Sequence, residues 1–262
     1  MNLLDALVLG VVEGVTEFLP VSSTGHLIVA ADLLNIAPTE FLKSFEIAIQ
    51  LGAILAIVAL YGRKLAHAPK LLGRVLLAFA PTAAVGALLY PVIKAHLLGN
   101  TAVVLVALFV GGALLILFEQ WYGKLGAGSA TPLVGVSSEI PSVRQALLIG
   151  IAQSVAIIPG VSRAGATIVG GLLAGLSRTA VVEFSFLLAI PTMAAATAFD
   201  LWKNGSAFVV GEWFLLAIGF TASCVSAFFA VRFLLSYIKR HSFTAFGIYR
   251  MLAALIFFFL LF

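Results

Sequence analysis
Residues 13–27 read EGVTEFLPVSSTGHL. Two glutamates, two serines and a histidine stand here inside an apolar region that extends over residues 3–34. Pro20 lies near its middle, and a proline removes an N–H and blocks the helical turn before it. The pieces on either side are about 13 residues long. At about 1.5 Å per residue each reaches only about 20 Å, against roughly 30 Å for the hydrocarbon core of a bilayer. The region is therefore predicted to form a helix–break–helix hairpin that enters a membrane and turns back. Irregular backbone at that depth must be buried in protein or line a wet cavity. The alternative is one long helix kinked at Pro20.

Composition supplies the membrane. The chain has 262 residues, 62% hydrophobic and 10% charged, with a mean hydropathy of +1.17. A soluble domain is about 45–50% apolar and about 25% charged. This chain cannot cover itself with polar surface, which excludes a soluble protein and implies an all-α polytopic membrane protein. The net charge of +4 comes mostly from basic residues in short loops between apolar runs. That is a topological bias, not a nucleic-acid footprint. The single cysteine, Cys224, lies in an apolar run; it excludes an internal disulfide and reads as a packing residue. The first residues, MNLLDALVLGVVEG, show no basic leader and no cleavage site, so they are expected to belong to the mature fold.

Six apolar runs are long enough to cross a bilayer: residues 41–61, 71–90, 101–118, 179–200, 209–235 and 243–262. A second interrupted region spans 146–176, broken at Pro159-Gly160. It resembles the first: at a spacing of 140, Gly10, Ser22 and Gly25 are matched by Gly150, Ser162 and Gly165, and Glu13 by Gln153. The chain thus reads as a single membrane domain, 1–262. Repeat one covers about 1–122, a Gly-, Ser- and Pro-rich linker 123–143, and repeat two about 144–262. Each repeat is a re-entrant helix hairpin plus three transmembrane helices. Three crossings per repeat turn the second half upside down, an inverted-topology repeat whose sites lie near the bilayer midplane. One orientation places Arg63, Lys64, Lys70, Arg74, Lys124, Arg144, Arg178, Lys239 and Arg240 on a single, cytoplasmic side.

The first break gathers chemistry. Glu13 and Glu17 are four apart and share a helix face. Ser22 or Ser23 can cap the helix after Pro20, with His26 in its first turn. The second break reads PGVSRAGAT, residues 159–167. Ser162 can cap the following helix, and Arg163 and Thr167 are again four apart. Arg163 has no acid in its own hairpin and needs an anion: Glu13 or Glu17 from the other repeat, or a phosphate. Two helix N-termini, an arginine, hydroxyls and carboxylates suit phosphoryl transfer or phosphate-ester hydrolysis. Elsewhere Glu46 and Gln50 can line the cavity or brace the tip, and Glu183 can bond between helices. Arg250 can snorkel or pair with a buried acid. The small-xxx-small spacings GVVEG, residues 10–14, and GLLAG, residues 171–175, read as helix packing. His67, His96 and His241 fall in loops. No Walker phosphate loop and no HExxH motif is present.

GVVEGVTEFLPVSSTGHL and PGVSRAGAT closely resemble the two signature motifs of the undecaprenyl-diphosphate phosphatases of the bacitracin-resistance type. The likeness extends through FEIAIQLGAILA, EFSFLLAIP and FGIYR, nearly the whole chain. The resemblance implies an enzyme of the bacterial inner membrane with its site open to the periplasmic side. It would hydrolyse undecaprenyl diphosphate to undecaprenyl phosphate and inorganic phosphate, recycling the lipid carrier of cell-envelope synthesis. It also implies a divalent cation; Glu13 and Glu17 would position it as Mg²⁺ or Ca²⁺, or one of them would act as a base. Glu17, Ser23, His26 and Arg163 would be catalytic, and Ser22, Ser162, Arg163 and Thr167 would bind phosphate. Ser23, His26 or water remains open as the nucleophile. Partners would be the lipid substrate and the bilayer, without nucleic acid, and a homodimer is the assembly to test. One departure stands out: the family's second motif usually reads Ser-Arg-Ser-Gly, and Ala164 here removes a hydroxyl. The rival function is a transporter or flippase of the isoprenyl phosphate lipid, because inverted repeats with broken helices also build transporters.

Overall fold
The computed structural model describes residues 1–97, 100–124, 140–204 and 209–262. Most of the expected linker 123–143 lies outside them. Among the described residues ten α-helices follow in order: α1 Leu3–Thr16, α2 Ser23–Leu33, α3 Glu40–Ala66, α4 Pro69–His96, α5 Thr101–Lys124, α6 Val143–Ser154, α7 Arg163–Leu173, α8 Arg178–Asn204, α9 Val210–Tyr237 and α10 Thr244–Leu261. A 3₁₀ turn, Val155–Ile157, follows α6. Among the described residues there is no strand. Six helices, α3, α4, α5, α8, α9 and α10, are long and apolar enough to cross a bilayer. They coincide with the six runs legible in the sequence. The chain is a multi-pass membrane protein, and its many exposed leucines and phenylalanines, Phe259 at 80% among them, are surface for lipid.

Both interrupted regions are broken rather than kinked. α1 ends at Thr16, four residues before Pro20, and α6 ends at Ser154, five before Pro159. A proline ring clashes with the carbonyl four residues back, so each helix stops a turn ahead of its proline. The short helices then fold against each other. Ala6 and Leu9 of α1 share a core with Leu27 and Ala31 of α2. A methyl on Gly170 of α7 would strike Ala152 of α6.

The local chemistry of the two regions matches at the spacing of 140. α1 starts in a capping box, with Asn2 Oδ1 accepting from the Asp5 N–H at 3.0 Å. α6 starts in another, built from Ser142 and Gln145. α2 ends where Asn35, at φ 54°, lets the Ile36 N–H reach back to Ala31 O. α7 ends the same way: Gly175, at φ 86°, lets the Leu176 N–H reach Gly171 O. A left-handed residue just past the last turn satisfies carbonyls the helix leaves free. Gly175 is thus a helix terminator, not the packing residue its GLLAG spacing suggested. Gly171 does pack, against Val181, while Gly10 and Gly14 admit the backbone of α9 at Gly219 and Ser223.

Packing fixes where the breaks sit. α1 lies against α9, α6 against α4, α3 against both α8 and α9, and α10 against α5. The largest core cluster runs from Phe18 in the first break through α3, α4, α7, α8 and α9. Phe18 meets Phe186 of α8 edge to face, ring centres 5.4 Å apart. One buried ion pair ties the far ends: Glu119 of α5 accepts from both Arg178 Nη atoms, at 2.5 and 2.7 Å, and from the Phe243 N–H at 3.0 Å. Gly150 tests this packing, because a β-carbon there would overlap the Ala78 carbonyl of α4. Gly150→Ala is expected to cost about 1–3 kcal/mol by overpacking. A thermal melt in detergent should show it as a midpoint lowered by several degrees.

Candidate active site
The two breaks meet in the protein interior. Ser23 is the first residue of α2 and Arg163 the first of α7, positions again 140 apart. Glu17 stands between them. Its Oε2 accepts from the Ser23 hydroxyl at 2.6 Å, and its Oε1 accepts from Arg163 Nη2 at 3.1 Å. The Arg163 and Glu17 side chains are 9% and 6% exposed. The anion Arg163 requires is therefore Glu17, across the two halves. The same guanidinium donates through Nη1 to Ser185 O at 2.8 Å and lies over the Phe18 ring, 5.7 Å from its centre. Its buried Nε–H has no partner, which leaves a donor for an incoming anion.

The helix starts differ. Ser162 caps α7, its Oγ accepting from the Gly165 N–H at 3.0 Å. Ser22 occupies the matching position but does not cap: its backbone sits at φ 69°, ψ 99°, and its side chain makes no cap bond. A capping side chain needs an extended backbone. A serine in the left-handed region costs about 1–3 kcal/mol of strain, a cost that clusters at functional sites. The Ser22 carbonyl instead meets His26 Nδ1 at 2.8 Å, and His26 Nε2 meets the Tyr249 hydroxyl at 2.7 Å. A carbonyl only accepts, so Nδ1 carries the hydrogen, and in the neutral ring Nε2 accepts from tyrosine. Tyr249 also stacks on the ring, centres 5.5 Å apart. Both imidazole nitrogens are thus occupied, and neither faces Ser23.

Glu13 is fully enclosed, and both its oxygens lack a hydrogen-bond partner. It lies beside Glu17 and Ser23, within electrostatic reach of Glu46. Sharing a helix face with Glu17 does not make the two carboxylates alike: Glu17 caps the end of α1 and turns toward Arg163. Thr167 is enclosed and bonded to its surroundings. It donates to the carbonyls of Arg163 and Ala164 and shares a 2.6 Å bond with the Ser185 hydroxyl. Glu183 pairs with Lys64 Nζ at 2.9 Å, an interhelical contact away from this cluster.

Arg250 corrects the sequence reading. It neither snorkels nor meets an acid. Only 3% exposed, it donates to four main-chain carbonyls: Ala107, Leu108, Pro20 and Gly160. Sequence reasoning also missed Ser185 and Tyr249. The signal for the α10 pair was a tyrosine and an arginine side by side in an otherwise apolar span, inside the FGIYR stretch that shares the family likeness.

A family model described as "Bacitracin resistance protein BacA" matches residues 6–256. The chain belongs to the BacA family. The match takes in both breaks and reaches past Tyr249 and Arg250, so every group of the cluster lies inside the BacA-family region. The chain is 50% identical to a protein of Aquifex aeolicus named undecaprenyl-diphosphatase, over 97% of this chain and 96% of that one. It is 50% identical to one of the same name from Thermus thermophilus, over 98% and 97%. A third from Sulfurihydrogenibium is 47% identical, over 98% and 99%.

Proposed function
We propose that this chain hydrolyses undecaprenyl diphosphate to undecaprenyl phosphate and inorganic phosphate. The observation that carries the proposal is the buried line Ser23–Glu17–Arg163, a hydroxyl and a guanidinium on the two oxygens of one carboxylate. Full-length relatives named for the same reaction support it.

The chemistry follows from the partners. Arg163 and the N-terminal turns of α2 and α7 hold the terminal phosphate, with Ser22 and Ser162 at those turns. Ser185 holds the guanidinium, and Thr167 bonds to Ser185 behind it. Ser23 Oγ attacks the terminal phosphorus, and its proton passes to Glu17. The bond from that phosphorus to the bridging oxygen breaks, and undecaprenyl phosphate leaves. Water then hydrolyses the phosphoserine. His26, held at both nitrogens, positions the Ser22–Ser23 peptide. Charge stabilisation and alignment supply most of the acceleration in such reactions.

A divalent cation fits the acidic residues. Glu13 offers two unpartnered oxygens, and Glu17 is adjacent. No three His, Cys, Asp or Glu side chains gather as a metal set among the described residues. Glu13 and Glu17 would therefore hold the cation together with diphosphate and water, a donor set typical of Mg²⁺. When bound, such a cation neutralises phosphate charge. Chelation is expected to abolish turnover, and Mg²⁺ or Ca²⁺ to restore it. Glu13→Gln should raise the metal concentration for half-maximal activity by about 10-fold or more, measured by titrating metal into chelated enzyme.

The membrane arrangement proposed is an inverted repeat of two re-entrant hairpins, each followed by three crossings. It forms one unit in the inner membrane, with the site open to the periplasm. Exchanging the halves maps α1 on α9 onto α6 on α4, and the helix-ending turns at Asn35 and Gly175 onto each other, which supports the repeat. A lipid transporter needs the phosphate site but not a serine held by a carboxylate. Purified protein in detergent should release phosphate from undecaprenyl diphosphate. Lipid transfer across vesicles without phosphate release would instead establish the transporter.

A further inference from the structure
We infer that Arg250, seated on Gly111, is the positioning residue that holds the two breaks in register, an inference that rests on the hydrolase reading above. An arginine this enclosed normally pairs with an acid or an anion. Arg250 bonds instead to the backbone: Pro20 O in the first break at 3.4 Å and Gly160 O in the second at 3.3 Å. Pro20 and Gly160 are equivalent positions of the two regions, 140 apart. Both residues are buried. Their carbonyls fall where the helices have stopped, and a buried carbonyl needs a donor. A single guanidinium serves both.

The remaining donors fix the guanidinium to α5, through Leu108 O and Ala107 O, each at 3.3 Å. Gly111, one turn further along α5, is the seat. A β-carbon there would overlap Nη2 and crowd Cζ. Gly160 presses on the same helix: at φ 90° it lies so close to Val104 that a side chain would meet the Val104 backbone. α5 is therefore a common platform, and Arg250 fastens both breaks to it. Ser23 follows Pro20 by three residues, and Arg163 follows Gly160 by three. The register of these carbonyls is passed directly to the nucleophile and its phosphate-binding partner. An error of about 1 Å between reacting groups can cost about 10²-fold.

Gly111→Ala tests this without removing any donor. Alanine favours a helix over glycine by about 1 kcal/mol, so α5 itself is not weakened, yet the guanidinium must leave its seat. The experiment compares the unmutated chain with Gly111→Ala, Arg250→Lys, Arg250→Ala and the double variant Gly111→Ala/Arg250→Ala. Each is purified full-length in detergent and assayed for phosphate release from undecaprenyl diphosphate, with the folded fraction measured by thermal melt. The expected result is kcat lowered about 10- to 10²-fold per folded molecule, with KM changed by less than about threefold. The double variant should be no worse than Arg250→Ala, because both changes break one contact. Millimolar guanidinium ion should restore part of the kcat of Arg250→Ala. Turnover within about twofold of the parent in Gly111→Ala and Arg250→Lys would overturn the inference. So would losses that follow the folded fraction alone in every variant, which would assign Arg250 to stability. A parent chain that releases no phosphate would overturn the hydrolase reading and this inference together, whereas an active parent with indifferent variants overturns this inference only.

Discussion

Arg163→Ala is expected to lower phosphate release by about 10²- to 10³-fold, the loss typical of a principal charge stabiliser. Among the described residues the guanidinium is the one cation paired with Glu17, and its unpartnered Nε–H adds a donor. In the transition state the terminal phosphoryl oxygens carry charge that planar, two-pronged donation suits. Removing it also leaves Glu17 buried without its counter-ion. That should weaken the fold by up to about 3–5 kcal/mol, so turnover is read per folded molecule. Arg163→Lys separates the two effects. It keeps the charge near Glu17 but loses the fork, so stability should largely return while kcat stays at least about 10-fold low. Turnover of Arg163→Ala within about threefold of the parent would remove Arg163 from the chemistry and leave a structural ion pair.

The six crossings were legible because length and apolarity alone decide them: about 20 apolar residues have no other stable home. The breaks were legible from Pro20 and Pro159-Gly160, but their start was not. The chain leaves the helix at Glu17 and Val155, since a proline acts on the turn behind it. Glu17 itself keeps a helical backbone, its N–H on Glu13 O, and its side chain alone reaches across to Arg163. Two glutamates that look like a pair in sequence end with different partners, one bonded to Ser23 and Arg163 and one bare.

Side chains that meet charged or hydroxyl partners left a trace in composition; those that meet the backbone did not. Arg163 could be assigned an anion because its hairpin lacked one. Arg250 could not be assigned its partners, because Ala107, Leu108, Pro20 and Gly160 contribute only carbonyls, which every residue has. His26 shows the same limit. Its place beside the serines was readable, but its hydrogen bonds go to the Ser22 carbonyl and to Tyr249, 223 positions away. The cap expected from Ser22 or Ser23 does not form: Ser23 turns to Glu17, and the left-handed backbone of Ser22 follows from the packing of the break, not from any preference of serine.

The choice of nucleophile carries the second large effect. Ser23→Ala is expected to reduce turnover by at least about 10³-fold, with KM changed little because the α2 turn and Arg163 remain. His26→Gln is expected to cost less, about 10-fold. Glutamine can still donate to the Ser22 carbonyl, and the ring is not required as a base when Glu17 holds the Ser23 hydroxyl at 2.6 Å. Acid quench during turnover of substrate labelled in its terminal phosphate distinguishes the cases, because phosphoserine survives acid and phosphohistidine does not. An acid-stable label that maps to Ser23 and vanishes in Ser23→Ala is the expected result. A label that survives base but not acid would move the attack to His26, and that would require the imidazole first to release Tyr249. Full turnover of Ser23→Ala with no covalent label would make water the nucleophile, with Glu17 as its base and Ser23 reduced to a hydrogen bond on that base.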